Sequence, residues 1–420
     1  YRGIDVKLVR NVTDIDDKII DRARKEAGTG DVTGAVLSDK AREVSEKYLA
    51  VYREDMDMLG ITRPDAEPKA TETIGDMIEF INLLIGRGYA YESSGNVYFD
   101  VRKFRDYGRL SGQGLDQMEE GARVALDKNK RDPLDFALWK ASKPDEPFWP
   151  SPWGDGRPGW HIECSVMSTK LLGDDFVIHG GGIDLVFPHH ENEIAQTVSA
   201  GKKSAKYWIH NGLLTINGQK MAKSLGNFIT IRDFHDRYGD MDILKLMFLL
   251  SHYSHQVDFT GEKAESVRRS KERILIFLQK ADMKAGRGGG GADDKENRWR
   301  AAFESAMDDD FNTPQALGAI FMCVDEGNKI LEQPEPDAVA RAELRAAGDF
   351  IKDVAGRVFG LNLEYAGGAC DASLSRLIGE RDEARRNRDF KRADEIRDEL
   401  LSKGIILEDA KEGTIWRRKV

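Results

Sequence analysis

The sequence predicts an α/β fold that is interrupted by an insertion and followed by a largely helical half. Three observations predict it. An apolar run, VKLVRNV, leads straight into a capped helical pattern, TDIDDKIIDRARKEAG, and a strand feeding a helix is the unit from which α/β domains are built. A second run of the same kind, FVIHGGG, recurs later with helical patterns on either side. Between them the composition changes to a stretch rich in Trp, Pro and Gly, ending FALWKASKPDEPFWPSPWGDGRPG, which reads as an insertion breaking one α/β domain in two.

Each element follows from its local pattern. Thr13 or Asp14 is the expected cap of a first helix that ends near Gly28. Apolar positions recur at helical spacing from about Ser38 to Leu59 and from Thr71 to Gly86, with GITRPDAEP as punctuation between them. GYAYESSGNVYFDV looks like a hairpin, and GWHIECSVMSTKLLG resumes the helical pattern. FVIHGGG then fits a buried strand opening into a loop where a ligand can approach the backbone. Pro188 suits the first turn of a helix running to Gly201. Asn217-Gly218 between two apolar runs predicts a tight hairpin. The segment from MDILKLMFLL to ILIFLQKA reads as helices, and GRGGGGADD as a flexible break. DDDFNTPQALGAIFMCV opens a further helix, with Asn312 or Thr313 as cap and Pro314 at its first position. The end reads as two short helices closed at Gly404, then a hairpin, IILEDAKEGTIWRRK.

Composition excludes several classes. A chain of 420 residues is long enough for two to four domains with a well-buried core. Its three cysteines, Cys164, Cys323 and Cys370, are widely spaced and odd in number, which argues against a secreted disulfide framework and for a cytoplasmic protein. No apolar run approaches membrane-spanning length, and YRGIDVKLVRNVTDID has none of the parts of a signal peptide. A net charge of -10 argues against nucleic-acid binding driven by global charge. Local charge opposes that mean at ARRNRDFKRADEIR and WRRKV, where a solvated helix face and an RNA contact are both open readings.

The stretch LVFPHHENEIAQ concentrates the chemistry. His189 and Glu193 are four apart and share one helix face. A zinc-protease motif fails, because Ile194 stands where the second His of His-Glu-x-x-His should fall. Two readings stay open: solvated helix-terminal residues, or a metal set completed by Cys164 from the preceding helix, with ligand types suited to zinc. Further on, Lys220-Met221-Ala222-Lys223-Ser224 forms a small cationic loop suited to following triphosphate charge into a transition state, against the alternative of an ordinary exposed loop. Cys323 sits in a helical apolar context and reads as packing, and Cys370 lies in a linker.

KMAKS resembles the KMSKS signature of class I aminoacyl-tRNA synthetases, and RNVTDIDDKII, GWHIECS and HGGGIDLVFPHHENEIAQ resemble the cysteinyl-tRNA synthetase family in particular. The likeness runs on through DDDFNTPQAL to TIWRRK. It implies a class I synthetase Rossmann-like catalytic domain with an insertion, a helical bundle that supports tRNA, and a small C-terminal anticodon-binding module. The implied division is catalytic at 1–75, insertion at 76–156, catalytic with the zinc site at 157–215, lysine loop and stem contact at 216–262, bundle at 263–366 and anticodon module at 367–420.

The resemblance also implies ligands and roles. Zinc would be held by Cys164, His189 and Glu193 together with a Cys upstream of Tyr1, and would take the thiolate of L-cysteine in preference to a serine hydroxyl, so that no editing domain is needed. Thr13, Trp160 and His189 would line the cysteine pocket, while His179 to Asp184 would lie under ATP, Gly182 by close backbone approach and Asp184 toward the ribose or amino group. Lys220 and Lys223 would neutralise charge on ATP as the cysteine carboxylate attacks the α-phosphate, with Mg²⁺ as companion, before transfer to tRNA(Cys). Trp416 with its neighbouring arginines would offer a stacking face near the anticodon, or else be core. The chain is taken as a monomer.

Two departures accompany the likeness. Ala222 stands where the family pattern has Ser, with a modest expected effect, and the HIGH motif does not occur in the segment beginning at Tyr1. The 420 residues as they stand are therefore expected to catalyse little, the gap being read as missing residues. A related cysteine ligase of the mycothiol pathway, joining cysteine to an amino sugar, and a catalytically silent RNA-binding paralogue are the alternatives. The long C-terminal half argues against the first, and the intact zinc ligands and lysines argue against the second.

Overall fold

The computed structural model describes residues 1–28, 34–115, 128–222, 225–285, 294–364, 372–403, 405–410 and 413–418, in two compact units, Tyr1–Asn211 and Gly212–Val420. None of its helices is long and apolar enough to cross a membrane, among the described residues.

In the first unit, the expected opening strand is extended backbone joined to residues 66–70 by isolated parallel bridges, Val9 with Ala66 and Val12 with Lys69. It does not become a ladder. Its partner segment carries Pro64 and Pro68, which have no N–H to donate. Helix α1 (Asp17–Ala27) is capped by Asp16, whose carboxylate accepts from Ile19 N at 2.7 Å. The expected caps are engaged elsewhere: Asp14 accepts from Thr71 N at 3.0 Å, and Thr13 turns to Glu163. Helices α2 (Gly34–Met58) and α3 (Ile74–Gly86, entered through a 3₁₀ turn) match the helical patterns read above.

The insertion forms an antiparallel sheet of β1 (Ala90–Ser93), β2 (Asn96–Phe99), β3 (Phe136–Ala141) and β4 (Gly156–Pro158), in that order. Ser94 and Gly95, at φ of 54° and 78°, make the tight turn of the expected hairpin. The sheet shares one apolar core with the helices, in which Ile20, Leu37, Met77, Phe99, Trp139, Ile162 and Val166 are buried together. That shared core seats the following helix, α4 (Trp160–Leu172), against the sheet.

An α/β unit follows: β5 (Ile178–Gly182), a wide turn at Val186–His190, α5 (Glu191–Ser199) and β6 (Tyr207–Asn211), with β6 parallel to β5. Two expectations change here. Strand β5 is not buried, since it pairs only with β6 among the described residues and leaves Val177 and Ile178 about half exposed. The three glycines are strand, not loop, and pair with Ile209, His210 and Asn211. Helix α5 starts after His190 because Phe187 has extended backbone.

The second unit opens with β7 (Leu214–Ile216) and β8 (Gln219–Lys220), turned at Asn217 and Gly218 with φ of 51° and 74°, as expected. After α6 (Ile231–Tyr238) and α7 (Asp242–Leu249), the run expected to be all helical contains a strand, β9 (Val257–Phe259), parallel to β7. Helices α8 (Gly261–Ala285), α9 (Asp294–Asp308), α10 (Thr313–Leu331) and α11 (Ala338–Ile351) then pack around buried Phe277, Trp299, Phe303, Ile320 and Phe350. Asn312 caps α10, and Pro314 is its second residue. Cys323 is fully buried there, in a packing position.

The end of the chain is α12 (Ala372–Arg386), α13 (Phe390–Ser402) and a hairpin of β10 (Ile405–Ala410) and β11 (Gly413–Arg418). Buried Arg381 ties α12 to the hairpin through Asp409 and Thr414, both at 2.8 Å. Most of the glycine-rich break, Cys370, Gly404, Lys223 and the side chain of Trp416 lie outside the described residues.

Candidate functional site: a buried cysteine, histidine and glutamate cluster

Two helix starts build the site. Gly159 lets the start of α4 press against β3, because a Cβ there would overlap the carbonyl of Ala137. Trp160, His161, Glu163 and Cys164 consequently occupy the first turns of α4, while the wide turn and α5 supply His189, His190 and Glu193. Cys164, His189 and Glu193 are all buried, and their ligand atoms lie within 4.8 Å of one another. The three residues that the sequence offered as one possible set thus lie side by side in the fold.

Their electrostatics ask for a cation. Glu193 Oε1 is 3.1 Å from His189 Nε2 and 3.5 Å from His179 Nε2, without hydrogen-bond geometry, so among the described residues this buried carboxylate oxygen has no hydrogen-bond partner. Burial works to raise the Glu193 pKa, yet the nearby histidines outweigh it and hold the carboxyl at about 2. Burial pushes the Cys164 thiol well above its ordinary value, and the charges of Glu193 and Glu163 add to that. A divalent cation among these groups reverses the thiol's preference and takes up the orphaned oxygen. Sulfur, nitrogen and oxygen donors in a buried set fit zinc.

The surrounding histidines orient the set. His189 Nδ1 lies 2.8 Å from His161 Nδ1, which leaves Nε2 facing Glu193. Burial and the neighbouring His189 push His161 down to about 3, so its ring is neutral. A second group, His179, His190 and Glu193, shares the same carboxylate and is also close enough for an ion. His190 Nδ1 is 2.8 Å from His210 Nε2, and a Cβ at Gly181 would come within 2.7 Å of the His190 ring. His179 therefore lies beside Glu193 at the start of the glycine strand. Sequence reading missed His161 and His210 entirely; five of the eight histidines converging on one α/β unit is visible only in three dimensions.

The other expected residues divide by location. Trp160 is 43 % exposed and lies with its ring 4.1 Å from that of His189, so it walls the buried cluster while presenting surface. Thr13 Oγ1 donates to Glu163 at 2.9 Å, and Glu163 is itself buried, its carboxyl pushed up to about 8 by burial. Asp184 is exposed and folds back over Gly182 at the end of β5. Lys220 is exposed at the end of β8 in the second unit. A residue the sequence did not single out holds the backbone on either side of Met221: Asn227 accepts from Ala222 N at 2.9 Å and donates to Lys220 O at 3.1 Å.

Comparisons with known proteins show the family. Residues 1–269 match the family described as tRNA synthetases class I (C) catalytic domain, residues 302–364 a DALR domain, and residues 368–417 a cysteinyl-tRNA ligase anticodon binding domain. Cysteine--tRNA ligase of Thermodesulfovibrio yellowstonii is 48 % identical over all of this chain and 89 % of its own length. The chain belongs to the cysteinyl-tRNA synthetase family. The Geobacter metallireducens and Geobacillus thermodenitrificans cysteine--tRNA ligases are 46 % and 44 % identical, again over the whole chain and over 88 % and 87 % of their own lengths. Among solved structures, Mycobacterium tuberculosis methionyl-tRNA synthetase bound by methionyl-adenylate aligns with a TM-score of 0.60 at 14 % identity, covering 85 % of each chain, a likeness of fold.

As a cysteinyl-tRNA synthetase family member, the chain is a ligase with a surface for RNA to account for. The strongest basic stretch surrounds Phe390, an aromatic that is 62 % exposed at the start of α13. Arg388 and Lys391 flank it, exposed and without an ion pair among the described residues. An exposed aromatic between unpaired cations is the composition of a stacking platform for unpaired bases. The sequence signal was present in RNRDFKR, but helical periodicity gave no reason to turn Phe390 outward.

Proposed function

We propose that the protein, in the cytoplasm, activates L-cysteine with ATP and transfers it to the terminal ribose of tRNA(Cys). The observation that carries this is identity of 48 % to a cysteine--tRNA ligase over the full length of the chain. The buried Cys164, His189 and Glu193 set supports the choice of amino acid, since those donors suit zinc. When bound, zinc supplies a soft acid that accepts a thiolate readily and a serine hydroxyl poorly.

The chain's own residues do the rest in this reading. Thr13 contacts the cysteine amino group, and Trp160 walls the side chain over His189. His161 holds the ring of His189 in place. Gly182 and Asp184 bind the adenosine part of ATP, and Lys220 and Lys223 neutralise phosphate charge while Mg²⁺ accompanies the nucleotide. The six-part division given above assigns residues 76–156 as insertion, 263–366 as tRNA-supporting bundle and 367–420 as anticodon module.

The test is transfer of labelled cysteine to purified tRNA by the full-length protein, with serine and a chelator-treated sample alongside. Charging with cysteine alone, lost on chelation, is the expected result. Activation of cysteine that never reaches tRNA would instead favour a ligase acting on an amino sugar, and absence of both steps the silent paralogue.

A further inference from the structure

We infer that Asp310, in the turn between α9 and α10, is a positioning residue for Lys220 at the end of β8. Two adjacent non-glycine residues in this turn, Asp310 and Phe311, have left-handed backbone with φ of 53° and 54°. Such conformations cost energy and persist where surrounding contacts impose them. Besides the turn's own backbone bonds, Phe311 N to Met307 O at 3.2 Å and Asn312 N to Ala306 O at 3.1 Å, contacts come from one short segment. Tyr253 OH donates to Asp310 Oδ1 at 2.8 Å, and His252 Nε2 lies 3.0 Å from Asp310 O.

The same segment grips the root of the lysine hairpin. Tyr253 O accepts from Gly212 N at 2.8 Å, and Leu213 O accepts from Val257 N at 3.0 Å. Only glycine fits at 212, because a Cβ there would overlap the carbonyl of His255. Gln256 then donates to Thr215 Oγ1 at 3.1 Å, and Thr215 donates to Asp258 Oδ1 at 2.7 Å. Asp258 Oδ1 also accepts from Gly218 N at 2.7 Å, at the hairpin tip, and Thr215 pairs directly with Lys220. An unbroken series of hydrogen bonds and strand pairs thus joins Asp310 to Lys220.

The two ends of this series fall in different matched segments, Lys220 within the catalytic-domain match and Asp310 within the DALR match. A helical turn in the bundle is therefore built to set the register of segment 252–258, and through it the placement of Lys220. This rests on the proposed role of the lysines in adenylate formation.

The experiment compares Asp310→Gly, Asp310→Asn and Tyr253→Phe in the full-length protein, by cysteine-dependent pyrophosphate exchange and thermal unfolding. Glycine relieves the backbone strain and removes only the carboxylate contact, whereas asparagine keeps an acceptor and tolerates the left-handed region. The expected result is a threefold to tenfold fall, about the range of long-range coupling, in kcat for Asp310→Gly. KM for cysteine should stay unchanged and Asp310→Asn should restore the rate. Tyr253→Phe should fall similarly, and the double variant no further, as expected for one shared contact. Wild-type exchange with an unchanged Asp310→Gly rate overturns the inference, as does loss of kcat that Asn does not restore. No exchange by the wild type means that the functional reading has failed instead.

Discussion

Thr13 Oγ1 donates to the buried carboxyl group of Glu163 at 2.9 Å while accepting from Asn11 Nδ2 at 3.1 Å. A hydroxyl has one proton and two lone pairs. With the proton given to Glu163 and one lone pair taken by Asn11, the remaining lone pair suits a donor, and the cysteine ammonium is the donor the substrate offers. Thr13→Val should raise KM for cysteine about tenfold with kcat nearly unchanged, the pattern of a lost binding contact. Glu163→Gln should produce a smaller rise, because its amide can turn the Thr13 hydroxyl around. Pyrophosphate exchange with cysteine and ATP titrated separately measures both; KM values equal to wild type would remove Thr13 from the pocket.

The two overlapping ligand groups make separable predictions about metal. If Cys164, His189 and Glu193 hold zinc, Cys164→Ala should abolish tight metal binding, whereas His190→Ala should leave it in place. His161→Ala should weaken metal affinity about tenfold to a hundredfold, by releasing the ring of His189. Zinc content by elemental analysis, and competition with a coloured chelator, read these directly. Retained zinc in Cys164→Ala together with loss in His190→Ala would move the ion to the His179 group.

How much of this was legible in the sequence differs from residue to residue. Cys164, His189 and Glu193 were legible as neighbours in part, because His189 and Glu193 are four apart, whereas preferring a metal set to solvated residues rested on the family resemblance. The Asn217-Gly218 turn was legible because its backbone admits few residues. Glu163 was not, since a lone glutamate in a helix reads as solvated, and only the packing of α4 against the core buries it. Strand β9 was missed because three residues flanked by long helices carry no periodicity of their own; pairing with β7 creates it. The exposure of β5 escaped for a related reason, as an apolar run shows that a strand forms without showing what covers it.

Asn227 closes the lysine loop by bonding Ala222 N and Lys220 O together. This bears on the missing serine at Ala222. Backbone contacts already hold that position, so Ala222→Ser should change the rate of cysteine activation by less than about threefold, a surface-scale effect. Asn227→Ala should cost more, roughly tenfold in kcat, comparable to losing two hydrogen bonds that fix a catalytic loop. Lys220→Ala should fall further still, about a hundredfold, as a lost contact to transition-state charge. Single-turnover adenylate formation ranks the three variants, and an Ala222→Ser gain exceeding the Asn227→Ala loss would show that the hydroxyl matters more than the bridge.

Phe390 offers the sharpest test of the RNA surface because its exposure has no packing explanation. It sits just past Asp389, the cap that accepts from Arg392 N at 3.1 Å, so α13 is held from its first turn and the ring is presented on a rigid support. Stacking with one base contributes about 1–3 kcal/mol, so Phe390→Ala should weaken tRNA(Cys) binding roughly fivefold to more than a hundredfold. Phe390→Trp should preserve it, since the larger ring stacks at least as well. Lys391→Ala should act differently, lowering affinity for all tRNAs and flattening its salt dependence by about one charge. Cysteine activation should be unaffected in every case, because none of these residues is among those proposed to contact cysteine, ATP or zinc. Binding measured at three salt concentrations separates the two effects, and equal affinity of Phe390→Ala and wild type would leave the exposed ring without a role in tRNA recognition.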